Sequence, residues 1–151
     1  MAFSKITKAL KVPRDATAVY VFNRINLCAA GPLTLTVRHA GDGTPEFKNA
    51  WWRQRNTTRA RGGNGFSEAR SLQRCLEEAK LIADYCVVSW ENAVEDDGTP
   101  SPCTPDKVLE LLTTIIEANE GITEFAQFSA FAQDADNFRS SAGDAVELGK
   151  A

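Results

Sequence analysis

The sequence predicts an α+β fold, a small N-terminal β-hairpin or sheet packed against about four helices, with mobile termini. Three observations carry that prediction. Leu33, Leu35 and Val37 alternate with Thr34, Thr36 and Arg38, the period of two that marks a strand with one buried face. Ala69, Leu72, Leu76, Ala79 and Ile82 recur at helical spacing. Thr104-Pro105-Asp106 supplies a capping hydroxyl, a proline for the first helical position and an acid for the first turn. Val108, Leu111, Leu112, Ile115 and Ile116 follow as the apolar stripe of that helix.

The chain has 151 residues, one domain's worth, and a domain of this size removes roughly two-thirds of its unfolded surface from water. Residues 1–16 are basic and aperiodic, with Pro13 and Asp15 as punctuation. They read as an arm with room for a short helix. Residues 17–139 hold the single α+β domain, and residues 140–151 read as a flexible acidic tail. No apolar run reaches the ~20 residues that span a bilayer. The start, MAFSKITKALKVP, has no apolar stretch of signal-peptide length. The expectation is therefore neither a membrane protein nor an exported one.

Along the domain, Ala18–Phe22 is the first β-rich run and Leu33–Arg38 the second. Ten residues, NRINLCAAGP, separate them, which is long for a tight hairpin. Ala40–Pro45 is a turn by its Gly and Pro content. Thr44 then stands as N-cap, with Pro45 opening a helix through EFKNAWWRQRNTTRA. Phe47, Trp51 and Arg55 share one face of it, and Arg61-Gly62-Gly63-Asn64-Gly65 breaks it. A helix near 67–84 follows, capped by Ser67. Tyr85–Trp90, β-branched and aromatic, has two readings, a short extended segment or the buried end of that helix. VEDDGTPSPCTPDK is a turn-rich loop. The helix after Thr104 ends at Asn119-Glu120-Gly121, and a last helix over about 123–138 buries Phe125, Phe128, Phe131 and Ala132.

Charge is divided sharply along the chain. Residues 1–74 hold 13 Lys and Arg against 4 Asp and Glu, a balance of +9. Residues 75–151 hold 4 against 16, a balance of −12. Three readings follow: halves that neutralise each other on folding, head-to-tail self-association or docking on a charged protein, and a nucleic-acid-binding basic half.

No catalytic, cofactor or metal set is predicted. Cys28, Cys75, Cys86 and Cys103 form no CxxC pair and read as reduced thiols. His39, the one histidine, lies beside a glycine turn and reads as a surface residue rather than a general base. Tetrahedral zinc lacks ligands. There is no phosphate-binding glycine loop. Glu95-Asp96-Asp97-Gly98 is followed by Thr, Pro, Ser and Pro, which cannot complete a calcium loop. It reads as a solvated turn.

Trp51-Trp52-Arg53-Gln54-Arg55-Asn56-Thr57-Thr58-Arg59-Ala60-Arg61 interleaves arginine with tryptophan. Such a segment can face a protein, pair within or between copies of the chain, or stack on bases. The acidic second half argues against a dedicated nucleic-acid binder. Two candidate partner surfaces emerge. Trp52, Arg53, Arg55 and Arg59 would meet acidic groups. Asp96, Asp97 and Asp106 would meet the basic helix of a neighbour.

Val87, Val88, Trp90 and Val94 lead into the Asp97-Gly98 turn. Pro102, Thr104 and Pro105 follow, then Leu109, Leu111 and Leu112, and Asn137-Phe138 closes the pattern. Over about residues 33–139 this arrangement resembles the tail assembly chaperones of long-tailed bacteriophages and prophages. Cys103 departs from the pattern, standing where an apolar or aromatic residue is expected, and the basic arm before residue 17 lies outside it. The resemblance implies a non-enzymatic protein of the host cytoplasm, without cofactors. It would bind the tape-measure protein, recruit tail-tube protein, and leave before the virion is finished. Homo-oligomers through the charge-split surfaces are compatible with it; membrane binding is not expected and nucleic acid is disfavoured. The alternatives are a structural virion component of the neck or tail and a nucleic-acid-binding accessory protein.

Overall fold

The computed structural model describes residues 3–60, 68–118 and 121–139; the glycine-rich break at 61–65 and the tail at 140–151 lie outside the described residues. The elements run α1 (Phe3–Leu10), β1 (Thr17–Phe22), β2 (Leu33–Arg38), α2 (Pro45–Ala60), α3 (Glu68–Tyr85), β3 (Val87–Glu91), α4 (Pro105–Glu117) and α5 (Gly121–Gln133). The architecture is α+β.

The two N-terminal runs pair antiparallel, from Thr17 opposite Arg38 to Phe22 opposite Leu33. The wide connection between them is closed by backbone bonds from Ile25 to Phe22 (3.0 Å) and from Leu33 to Ile25 (2.8 Å). The third strand is the segment with two sequence readings. The chain leaves α3 at Tyr85, and β3 pairs antiparallel with β2, giving the order β1-β2-β3. Ser89 pairs with Thr36 and Val87 with Val37, so the register shifts there and Val88 has no opposite number. A bulge of this kind bends and twists its strand.

Alternation decides which face is covered. Leu33, Leu35 and Val37 are fully buried, and Phe22 joins them. The helices supply Ile82, Val108, Leu112, Ile116, Phe125 and Phe128 against that face. Each such side chain contributes about 1.5–3 kcal/mol by leaving water. Phe128 is the hub of an aromatic cluster, 5.3 Å from Tyr20 and 5.3 Å from Phe22. The opposite face of the sheet carries Val19, Val21, Thr34, Thr36 and Ser89, all exposed or half-exposed.

The helix signals divide into two that match and two that differ. Thr104 caps α4, its Oγ1 accepting from Lys107 N at 3.2 Å. The extent of α2 is that read from its sequence. At Thr44, however, only the carbonyl does the capping work, accepting from Lys48 N at 3.1 Å. Its hydroxyl is buried without a hydrogen-bond partner among the described residues. The last helix stops at Gln133 rather than running to 138. Asp134 Oδ1 accepts from Asp136 N at 3.0 Å, a local bond that competes with helix continuation. A further helical turn at 136–139 then directs Phe138 into the core.

The N-terminal arm contains α1, which buries none of its residues. Behind it Val12 is buried, and Arg14 pairs with Glu46 at 2.9 Å. Among the described residues no helix is long and apolar enough to cross a membrane.

Candidate partner-binding surface

The first candidate surface is built on α2. Phe47 is buried and fixes the helix to the core, and Trp51, one turn on, is half-buried. Trp52, the next residue, is turned outward by the helical step and is 50% exposed. The two indoles meet edge to face at 5.4 Å. Arg55, a turn beyond Trp51, lies with its guanidinium carbon 4.5 Å from that ring's centroid, a cation–π contact that holds positive charge beside exposed apolar surface. Arg53 donates to Asn49 O at 3.4 Å. Arg59 lies in the last turn of α2, and its side chain is outside the described residues.

Between α2 and the end of α5 opens a cavity of about 250 Å³. Phe47, Trp51 and Trp52 form its helical wall, Ala40 and Gly41 its floor, and Gln133 its far side. Ligand pockets for whole metabolites run roughly 300–1,000 Å³, so this one suits a single anchoring side chain. Its rim carries the Lys48–Asp42 ion pair at 2.6 Å. Hydrogen bonding from Lys48 holds the Asp42 carboxyl below its ordinary range, and the lysine's charge adds to that.

The floor is positioned by His39, which is buried rather than on the surface as its sequence context predicted. Gly43 N donates to its Nδ1 at 3.1 Å, so Nε2 carries the proton and donates to Gln133 O at 3.0 Å. The imidazole thus stitches the loop before α2 to the C-terminal end of α5. The loop packs tightly around the ring. A Cβ on Gly41 would stand 2.7 Å from His39 Cε1, and one on Gly43 would stand 2.7 Å from Val12 Cγ1. The Gln133 side chain is held in turn by Glu78 of α3, at 2.6 Å.

The second candidate surface differs in kind. Asp97 Oδ1 accepts from the Thr99 backbone at 3.0 Å and from its hydroxyl at 2.6 Å. Those bonds hold its carboxyl below the ordinary range. Gly98 supplies the positive φ, 86°, that the turn needs. Glu95 accepts from Ser101 Oγ and pairs with Lys107 at 3.3 Å. Asp97 is thereby a turn-forming residue. Asp96 and Asp106 are exposed, the latter in the first turn of α4.

The cavity beside α2 is lined from residues 40–52 and 133, and none of the acids of the 95–106 loop lines it. Arg24–Glu124, at 3.1 Å, links the basic part of the sequence to the acidic part. The cysteines are free, and burial pushes the Cys86 thiol up to about 12. Sequence reasoning had placed Trp52, Arg53 and Arg55 together on α2. It missed Asp42, Lys48 and Gln133. The glycines flanking Asp42 were the available signal, since a loop that needs two of them is wrapping something closely. Compared with family models, curated proteins and solved structures, the chain matches none.

Proposed function

We propose that the protein is a non-enzymatic phage tail assembly chaperone that binds the tape-measure protein and recruits tail-tube subunits. The observation that carries the reading is the α2 cavity, an apolar socket for one side chain beside a half-exposed Trp52 and the cationic Arg55. A long helical partner with an apolar residue and flanking acids fits it as a helix fits a groove. The pattern that residues 33–139 share with tail assembly chaperones supports the same reading.

The test is co-expression with the long, helix-rich product of the neighbouring gene, followed by the mass of the purified complex in low and high salt. A soluble complex whose partner is insoluble alone is the expected result. Weakening by salt, and by Trp52→Ala, would place the contact on α2. No complex, with the chain instead found in purified particles, would replace the chaperone by a structural component of the neck or tail.

A further inference from the structure

The two edges of the sheet are built differently. The β3 edge is interrupted by the bulge at Val88 and carries Glu91, two of the devices by which edges avoid pairing with other chains. The β1 edge has neither. From Ala16 to Asn23 the chain contains no charge and no proline, and its ladder to β2 runs without a shift. The charges just beyond its ends are engaged within the chain, Asp15 with Arg38 at 3.8 Å and Arg24 with Glu124 at 3.1 Å. Apart from the β1–β2 ladder, no described hydrogen bond engages residues 17–21. Val19 (55%) and Val21 (37%) are exposed on the outer face.

We propose that β1 pairs antiparallel with β1 of a second copy, joining two three-stranded sheets into one six-stranded sheet about a two-fold axis. The occupant follows from self-complementarity. An uncharged strand meets no like charge in its own copy, and a two-fold axis normal to the sheet closes the contact without leaving another edge of the same kind. The helices cover only one face, so opposed residues must come from the same face. The pairing is then centred on Val19 or on Tyr20. Centred on Val19, that valine meets itself. Centred on Tyr20, Val19 meets Val21 of the other copy twice. In the first register Val19 covers its own copy and Val21 faces Thr17, in the second the two valines cover each other, and in both Ala18 and Tyr20 extend the buried face across the axis. The inference is independent of the chaperone reading, because it uses neither α2 nor the acidic loop.

Sedimentation equilibrium on the full chain tests it, with the double variant Val19→Lys, Val21→Lys. Both positions are on the exposed face, so the fold is expected to survive, and an unchanged circular dichroism spectrum and melting temperature check this. In either register the variant sets lysines opposite lysines. The wild type is expected to show a concentration-dependent mass approaching twice 16.5 kDa, and the variant a dimer weakened about tenfold or more. Hydrogen exchange on the wild type gives an independent reading, with alternate amides of 17–21 gaining protection as concentration rises. A wild type that stays monomeric up to its solubility limit overturns the proposal. So does a dimer that leaves β1 amides unprotected, or one equally tight in the folded double variant. An extended segment of another protein on this edge would give the first of these outcomes.

Discussion

The α2 face and the 95–106 loop both carry charge on an exposed surface, yet they spend it differently. On the loop, Asp97 and Glu95 are consumed by their own turn, bonded to Thr99, Ser101 and Lys107. On α2, Arg55 is laid over an indole and Trp52 is left half in water beside an open cavity. The sequence offers both regions as candidate partner surfaces. What separates them is whether the side chains already have work inside the chain. An acid that makes a turn is a poor candidate for a partner, whereas an aromatic exposed over a socket leaves apolar surface in water that a partner can cover.

The comparison can be broken most directly at Trp52. Trp52→Ala is expected to weaken partner binding by about 2 kcal/mol, roughly thirtyfold, with little change in melting temperature. Titration calorimetry and a thermal melt measure the two effects separately. A fall in stability with unchanged affinity would make the tryptophan structural instead. Gly43→Ala attacks the loop that positions the floor of the same cavity. Its Cβ would collide with Val12 and His39, and overpacking of that kind costs about 1–3 kcal/mol, measurable as a shift in the urea midpoint. Affinity should fall with it, because the floor moves.

The core offers a pH test independent of both regions. The Cys86 thiol titrates near 12 in the folded chain and in the ordinary thiol range when unfolded. Above that ordinary range the unfolded chain has lost a proton that the folded chain keeps. Stability therefore falls as pH rises towards 12, by at most about 1.4 kcal/mol per pH unit. Cys86→Ala should flatten that limb, and alkylation of the native protein should leave this cysteine until last.

The loop should show the smallest effects. Asp97→Ala is expected to lower the melting temperature slightly through its lost turn bonds and to leave partner affinity unchanged. The depressed Asp97 carboxyl contributes stability above its unfolded value, lost as pH falls through its lower folded one. An acid-limb melt of the variant should lack that contribution. Asp96→Asn and Asp106→Asn should move neither quantity. Loss of binding in any of the three would restore the loop as a partner surface.

Much of the fold was legible because its signals are local. The Leu33–Arg38 alternation and the Thr104-Pro105-Asp106 start each depend on a few adjacent residues, and both elements lie where those signals placed them. Tyr85–Trp90 was ambiguous because a short apolar run fits a strand or a buried helix end equally. Its pairing with β2, about fifty residues earlier, decided the matter. The end of α5 was misplaced because apolar spacing continues to Phe138 while the Asp134 side chain stops the helix. The site was legible only in part. Its tryptophans and arginines share one helix, but His39 is buried by Gln133 and Phe138, far along the chain. No local pattern announces such a contact.

That long-range stitch also bears on the order in which a ribosome delivers the molecule. The loop and α2 are made before α5, and α5 supplies Gln133, which is both the far wall of the socket and, through its carbonyl, the acceptor that fixes His39. Arg139 Nε likewise donates to Leu10 O at 3.1 Å, tying a late segment to the first helix. A nascent chain stalled before α5 therefore presents the two tryptophans without the socket. The socket is therefore completed only when α5 has been made, however early the loop and α2 emerge.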